Sequence, residues 1–262
     1  MTATSAPYAG VVLDLDGVCY RGDEAIEGSR DAVDALRAAG IGVIYATNNA
    51  TRTPEQSAGK LRDLGFSAAP DEIMTSAVAA ADLLEPGTRC MVIGMQGLRD
   101  AVTARGCELV DDPAATDVVL TGLDSDLTYD KLVRGTRALL AGARFIASNA
   151  DRSYPAADGI SPGAGVIMVA LETATGRSAE IAGKPEATLF EAAAARLPDG
   201  NVLMIGDKVE TDIAGAAALG WDTGLVLTGV TDAESARDAD PAPTYVADDL
   251  AALVRTLLDG TN

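Results

Sequence analysis

Histidine is absent from this chain of 262 residues. That absence removes imidazole general bases, Ser-His-Asp triads and His-ligated zinc, and leaves carboxylates, lysines, hydroxyls, amides and thiols to carry any chemistry. Cysteine is scarce: Cys19, Cys90 and Cys107 are an odd number without a CxxC pair, so neither a disulfide framework nor a zinc knuckle is indicated, and a reducing compartment fits. Positive charge is short, with 20 Lys and Arg against 39 Asp and Glu, a net charge of −19. That balance argues against a surface for nucleic acid or another polyanion. No apolar run approaches the roughly 18 residues of a membrane span, and the opening MTATSAPYAG has neither the basic nor the apolar region of a signal peptide. The expectation is a soluble, cytoplasmic protein with no membrane partner.

What is present is apolar enough to fold. Hydrophobic residues make up 48% of the chain, far above a disordered acidic sequence, and the length suits one large α/β domain or two modest ones. Short β-branched runs at 10–15, 41–46, 90–94, 117–121, 144–148, 202–206 and 223–227 alternate with Ala/Leu-rich stretches of helical period. The helices are expected near 28–39, 54–64, 75–84, 96–105, 129–141, 164–175, 186–196, 210–219 and 248–258. This is the pattern of βαβ units around a parallel sheet. Thr53 before Pro54, Gly40 after Ala39 and Gly220 after Leu219 read as helix caps. The acidic, Pro-containing stretch 232–243 reads as a surface loop before a final strand and helix.

Four polar clusters fall at strand ends. The first strand runs into Asp14-Leu15-Asp16-Gly17, two carboxylates whose repulsion asks for a cation, although Asp-x-Asp-Gly is also an ordinary strand exit. The second ends in Thr47-Asn48-Asn49, donors that suit a phosphate oxygen or, equally, an Asx-turn. Lys184, one of four lysines in the chain, sits in Gly183-Lys184-Pro185 just before a helix. The strand at 202–206 runs into Asp207, with Asp212 five residues on, where it also complements a helix dipole. Open α/β sheets bind ligands at the carboxyl ends of their strands. A carboxylate triplet with one lysine and neutral donors there is the set that Mg²⁺-dependent phosphoryl transfer needs. The segment Val92-Ile93-Gly94-Met95-Gln96-Gly97 lacks the middle glycine of GxGxxG, so a dinucleotide site is a weak reading.

In this order, Asp14-Leu15-Asp16-Gly17, Thr47, Lys184 and the run from Gly206 to Asp212 resemble the four motifs of the haloacid dehalogenase (HAD) superfamily. The likeness is closest to subclass IIA, the NagD, p-nitrophenylphosphatase, phosphoglycolate phosphatase and pyridoxal phosphatase group. Tyr20-Arg21-Gly22, Thr47-Asn48-Asn49, Ser148-Asn149-Ala150-Asp151 with Pro155, Gly183-Lys184-Pro185 and Leu227-Thr228-Gly229-Val230 support it.

The resemblance implies a Rossmann-like HAD core at 1–76 and 183–262 with an inserted α/β C2-type cap at 77–182 that sets substrate specificity. It implies a phosphatase acting through an aspartyl-phosphate, with Asp14 as nucleophile and Asp16 as general acid and base. Mg²⁺ would be held by the carboxylates of Asp14 and Asp207 and the main-chain carbonyl of Asp16, with Asp212 orienting from behind. Thr47, the amides at Asn48 and Asn49, and Lys184 would bind the phosphoryl group. Asn149, Asp151, Arg152 and Tyr154 would read the leaving group of a small phosphomonoester such as phosphoglycolate, glycerol phosphate, a sugar phosphate or a nucleotide. A homodimer through the cap is the implied assembly. A phosphotransferase or mutase shares all the core residues, whereas a non-catalytic sensor would have lost one of them.

Overall fold

The computed structural model describes residues 7–156 and 159–260, and they divide into two compact units. The first comprises residues up to Thr47, Ser57–Met74 and the chain from Phe190 onward; the second comprises Asn48–Gln56 and Thr75–Leu189.

The first unit is built on a six-stranded sheet ordered Tyr245–Ala247, Asp222–Val226, Val202–Gly206, Gly10–Leu13, Gly42–Thr47 and Ile73–Thr75. Gly10–Leu13 is parallel to both neighbours, with Leu13 opposite Ile205 on one side and Tyr45 on the other. All four of its residues are buried, so both faces of the sheet are covered. The helix Ser29–Ala38 turns Ala32, Val33 and Leu36 inward, and Leu250–Asp259 does the same with Leu250, Leu253, Val254 and Leu257. The chain leaves the central strand toward Gly42–Thr47 and returns later on its other side as Val202–Gly206, a reversal of strand order that opens a crevice at their carboxyl ends.

The second unit has its own five-stranded sheet, ordered Glu180–Ile181, Arg144–Ala147, Val118–Thr121, Arg89–Ile93 and Glu108–Leu109, parallel throughout. Met91, Ile93, Val119, Phe145, Ile167 and Leu171 are among its buried core residues. Ser153–Ala156 and Gly159–Pro162 pair as a separate antiparallel hairpin.

The fold is therefore the two-sheet α/β architecture expected. Residues 48–56, 75–76 and 183–189, which the resemblance puts with the core, pack with the second unit. The cause is local: the Asn48 side chain is bonded to the Lys184 main chain, and Gly97 N–H donates to Thr51 O at 3.1 Å. Within 232–243 the structure forms a short helix, Ala233–Arg237, where a loop was expected, because Asp232 caps it by accepting the Ser235 N–H at 2.8 Å.

Candidate active site

Three carboxylates meet at the carboxyl ends of the central strands of the first unit. Asp14 follows Gly10–Leu13, its N–H bonded to Ile205 O at 2.9 Å. Asp207 follows Val202–Gly206 directly. Asp212 lies in Val209–Ile213, a π-helical turn that precedes the α-helix Ala214–Ala218. Each of the three offers an oxygen within 4.8 Å of the others, and all three are buried. Like charges packed that closely out of water repel strongly unless a cation lies among them. An all-oxygen carboxylate set suits a hard divalent cation, so the residues present fit one.

The loops around the cluster are shaped to hold Asp207. Its Oδ2 accepts the Val230 N–H at 2.6 Å, and its carbonyl accepts Thr231 N–H at 3.0 Å. Gly17, at φ +82°, and Gly229 flank that side chain so closely that a Cβ would stand 2.5 Å and 1.8 Å from Asp207 Oδ2. Thr228 Oγ1 donates to Gly17 O at 2.5 Å, and the Arg21 guanidinium donates to Thr228 O, which ties the two loops together. Asp212 Oδ2 accepts Lys208 N–H at 3.1 Å.

Asp16 differs from the other three in being exposed, with Tyr20 Oη donating to its Oδ2 at 3.4 Å. Behind the loop, burial pushes the Cys19 thiol well above its ordinary range, and the negative charges of Asp14 and Asp16 add to that shift. Thr47, buried, ends the strand beside Gly10–Leu13.

The second unit gathers another group of the expected residues at the carboxyl end of its own sheet. Lys184 is 3% exposed. Asn48 holds the Lys184 main chain and faces Asp151. The Asn149 amide is used inside the loop: Nδ2 donates to Asn48 O at 2.7 Å, and Oδ1 accepts Asp151 N–H at 3.1 Å. Asn49 forms an Asx-turn, its Oδ1 accepting from the N–H and hydroxyl of Thr51. Arg152 is exposed, and Tyr154, 41% exposed, lies in the hairpin opposite Ser161. The loop Gly229-Val230-Thr231, which grips Asp207, had no role assigned from sequence. Its signal in the sequence was the likeness of Leu227-Thr228-Gly229-Val230 to the subclass, which marks the segment without saying what it holds.

Fold and site define an α/β protein with a buried carboxylate cluster that fits a divalent cation. A family model described as haloacid dehalogenase-like hydrolase matches residues 11–108, and one described as HAD-hydrolase-like matches 181–253. The acid sugar phosphatase of Staphylococcus haemolyticus (strain JCSC1435) is 38% identical over 248 residues, covering 93% of this chain and 94% of that protein. The magnesium complex of a glycerol phosphate phosphatase from Mycobacterium tuberculosis superposes with a TM-score of 0.88 at 35% identity, over 97% of this chain and 78% of that one. A p-nitrophenyl phosphatase from Archaeoglobus fulgidus gives 0.90 at 31% identity, over 95% and 99%. The chain belongs to the haloacid dehalogenase superfamily, in the NagD and p-nitrophenylphosphatase group of subclass IIA. Among the described residues no helix is long and apolar enough to cross a membrane.

Proposed function

We propose that this HAD-type phosphatase hydrolyses small polyol or sugar phosphates in two steps on Asp14, with Mg²⁺ as its divalent cation. The observation that carries the reading is the buried cluster of Asp14, Asp207 and Asp212 at the carboxyl ends of the central strands. Asp14, Asp207 and the Asp16 main-chain carbonyl would hold the cation, with Asp212 orienting the cluster from the π-helical turn. When bound, the cation offsets the charge of these carboxylates and of the phosphoryl oxygens.

A carboxylate oxygen of Asp14 attacks phosphorus while the bond to the leaving oxygen breaks, giving an aspartyl-phosphate. Asp16, exposed and therefore able to reach solvent, delivers its proton to the departing alkoxide. Water then attacks phosphorus, Asp16 takes its proton, and the bond from Asp14 to phosphorus breaks. Thr47 and the main-chain N–H groups of Asn48 and Asn49 hold the phosphoryl oxygens, and Lys184 balances their charge. Asp151, Arg152 and Tyr154, in the cap segment 77–182, read the leaving group. Asn149 serves by folding that loop.

The acid sugar and glycerol phosphate phosphatases among the relatives support a hydroxyl-bearing leaving group, and so does Asp151, a carboxylate able to accept from hydroxyls. The enzyme works in the cytoplasm, where Cys19, Cys90 and Cys107 stay free thiols. Two copies pair through the second unit: Tyr129, Leu140 and Val169 are more than half exposed there, beside a cleft of about 300 Å³ between the helices Tyr129–Leu140 and Ala164–Thr175.

The test is phosphate release from p-nitrophenyl phosphate by the metal-loaded protein, with chelation stopping it and Mg²⁺ restoring it. Asp14→Asn keeps the melting temperature within a few degrees and abolishes both turnover and the trapped phosphoenzyme. Turnover surviving in that variant removes Asp14 from its role.

A further inference from the structure

The side-chain amide of Asn48 engages both backbone groups of a single residue. Its Oδ1 accepts the Lys184 N–H at 2.8 Å, and its Nδ2 donates to the Lys184 carbonyl at 3.1 Å. The same Nδ2 faces both oxygens of the Asp151 carboxylate, at 3.3 and 3.4 Å. The main chain of Asn48 is pinned in turn, its carbonyl accepting from Ser76 Oγ at 2.6 Å and Asn149 Nδ2 at 2.7 Å. Gly183 permits the approach, since a Cβ there would stand 2.6 Å from Asn48 Oδ1 and from Ser148 O.

We propose that Asn48 is a positioning residue: its amide locks the Lys184 main chain to the Asp151 carboxylate, so that the lysine serving the phosphoryl group and the carboxylate facing the leaving group keep a fixed register. The proposal rests on the phosphatase reading and changes the part given to Asn48, whose side chain serves Lys184 and not the phosphate. Only an amide satisfies the geometry. The Lys184 N–H needs an acceptor and its carbonyl a donor at adjacent points, which one carboxamide supplies. A carboxylate in its place has no proton for the carbonyl and repels Asp151, and a hydroxyl is too short to meet both. Because Asn48 directly follows Thr47 in the chain, the clamp also joins the two phosphate-binding segments by one residue. Misplacing a catalytic group by about 1 Å costs on the order of 10²-fold in rate.

The experiment compares Asn48→Asp, Asn48→Ala, Asp151→Asn and the double variant Asn48→Asp/Asp151→Asn. p-Nitrophenyl phosphate is the substrate, because its leaving group carries no hydroxyl for Asp151 to read. Readouts are kcat, KM, inhibition by inorganic phosphate, melting temperature and hydrogen exchange at the Lys184 amide. Asn48→Asp is expected to lower kcat/KM on the order of 10²-fold and to weaken inhibition by phosphate. The double variant should recover about tenfold of that loss, because the new amide at 151 donates to the carboxylate at 48. Asn48→Ala should speed exchange of the Lys184 amide even where the melting temperature holds. The proposal is overturned by kcat/KM within twofold of the parent in Asn48→Ala, by a double variant no better than Asn48→Asp, or by unchanged exchange at Lys184. If the parent itself fails to turn over p-nitrophenyl phosphate, the phosphatase reading falls, while exchange at Lys184 still decides the clamp.

Discussion

A methyl group at Gly229 would stand 1.8 Å from Asp207 Oδ2 and 2.3 Å from its carboxyl carbon, against a carboxylate already committed to the Val230 N–H. Gly229→Ala must therefore push Asp207 out of the cluster. The expected outcome is a loss of metal affinity of about 10- to 100-fold, as for partners that orient metal ligands, read from the Mg²⁺ dependence of turnover. Tyr45 presents the opposite case. Its hydroxyl is fully buried with no hydrogen-bond partner among the described residues, and burial pushes the phenol well above its ordinary range. Tyr45→Phe removes an unsatisfied polar atom and should leave stability unchanged or raise it by about 1 kcal/mol, and a thermal melt checks it. The strand-end positions of Asp14, Thr47 and Asp207 were legible in the sequence because each stands at the end of an apolar run, whereas Lys184 stood out only by its place between Gly183 and Pro185 before a helix. The bonds of Asn48 were not readable: an amide after a strand suits an Asx-turn, a phosphate contact and a backbone clamp alike, and only the return of the chain at Lys184 decides among them.

At the scale of elements, the loop from Ser148 to Tyr154 separates into a buried foot and an exposed tip. Asn149 is 4% exposed and bonded within the loop, whereas Arg152 projects as the exposed cation of this segment. Arg152→Ala should therefore reorder a panel of phosphomonoesters, lowering kcat/KM for anionic leaving groups by about tenfold while p-nitrophenyl phosphate changes little. An unchanged order would move specificity to Asp151 or Tyr154. The long elements followed the sequence pattern closely, since a strand such as Val202–Gly206 or a helix such as Ala164–Thr175 carries enough apolar residues to set its period. Short ones did not. Glu108–Leu109 and Glu180–Ile181 have two residues each, and the hairpin of Ser153–Ala156 with Gly159–Pro162 carries proline and glycine with no alternation to mark it. The π-helical turn Val209–Ile213 was equally hidden, because its sequence is an ordinary helix start and the wider turn follows from packing Asp212 against the strand end.

For the whole molecule, the missing histidines set the pH response. No side chain with an ordinary pKa titrates between pH 5 and 8 in this chain. The shifts that are present lie outside that window. The Arg89 guanidinium, donating to Asp117 at 2.6 and 2.9 Å, holds that carboxyl at about 2. The backbone and hydroxyl of Ser235 hold Asp232 below its ordinary value. A carboxyl with a depressed folded-state pKa contributes stability that is complete above its unfolded value and is lost as pH falls through the folded one. At the other end, burial and the neighbouring Cys107 push Cys90 up to about 12, so its thiol stays protonated well past neutrality. The melting temperature of the chelated protein should thus be level from pH 8 to pH 5 and fall below about pH 4, as Asp117 and Asp232 take up protons. Both groups are solvent-exposed, so the fall attributable to them is small, and Asp117→Asn should blunt only the part below about pH 4.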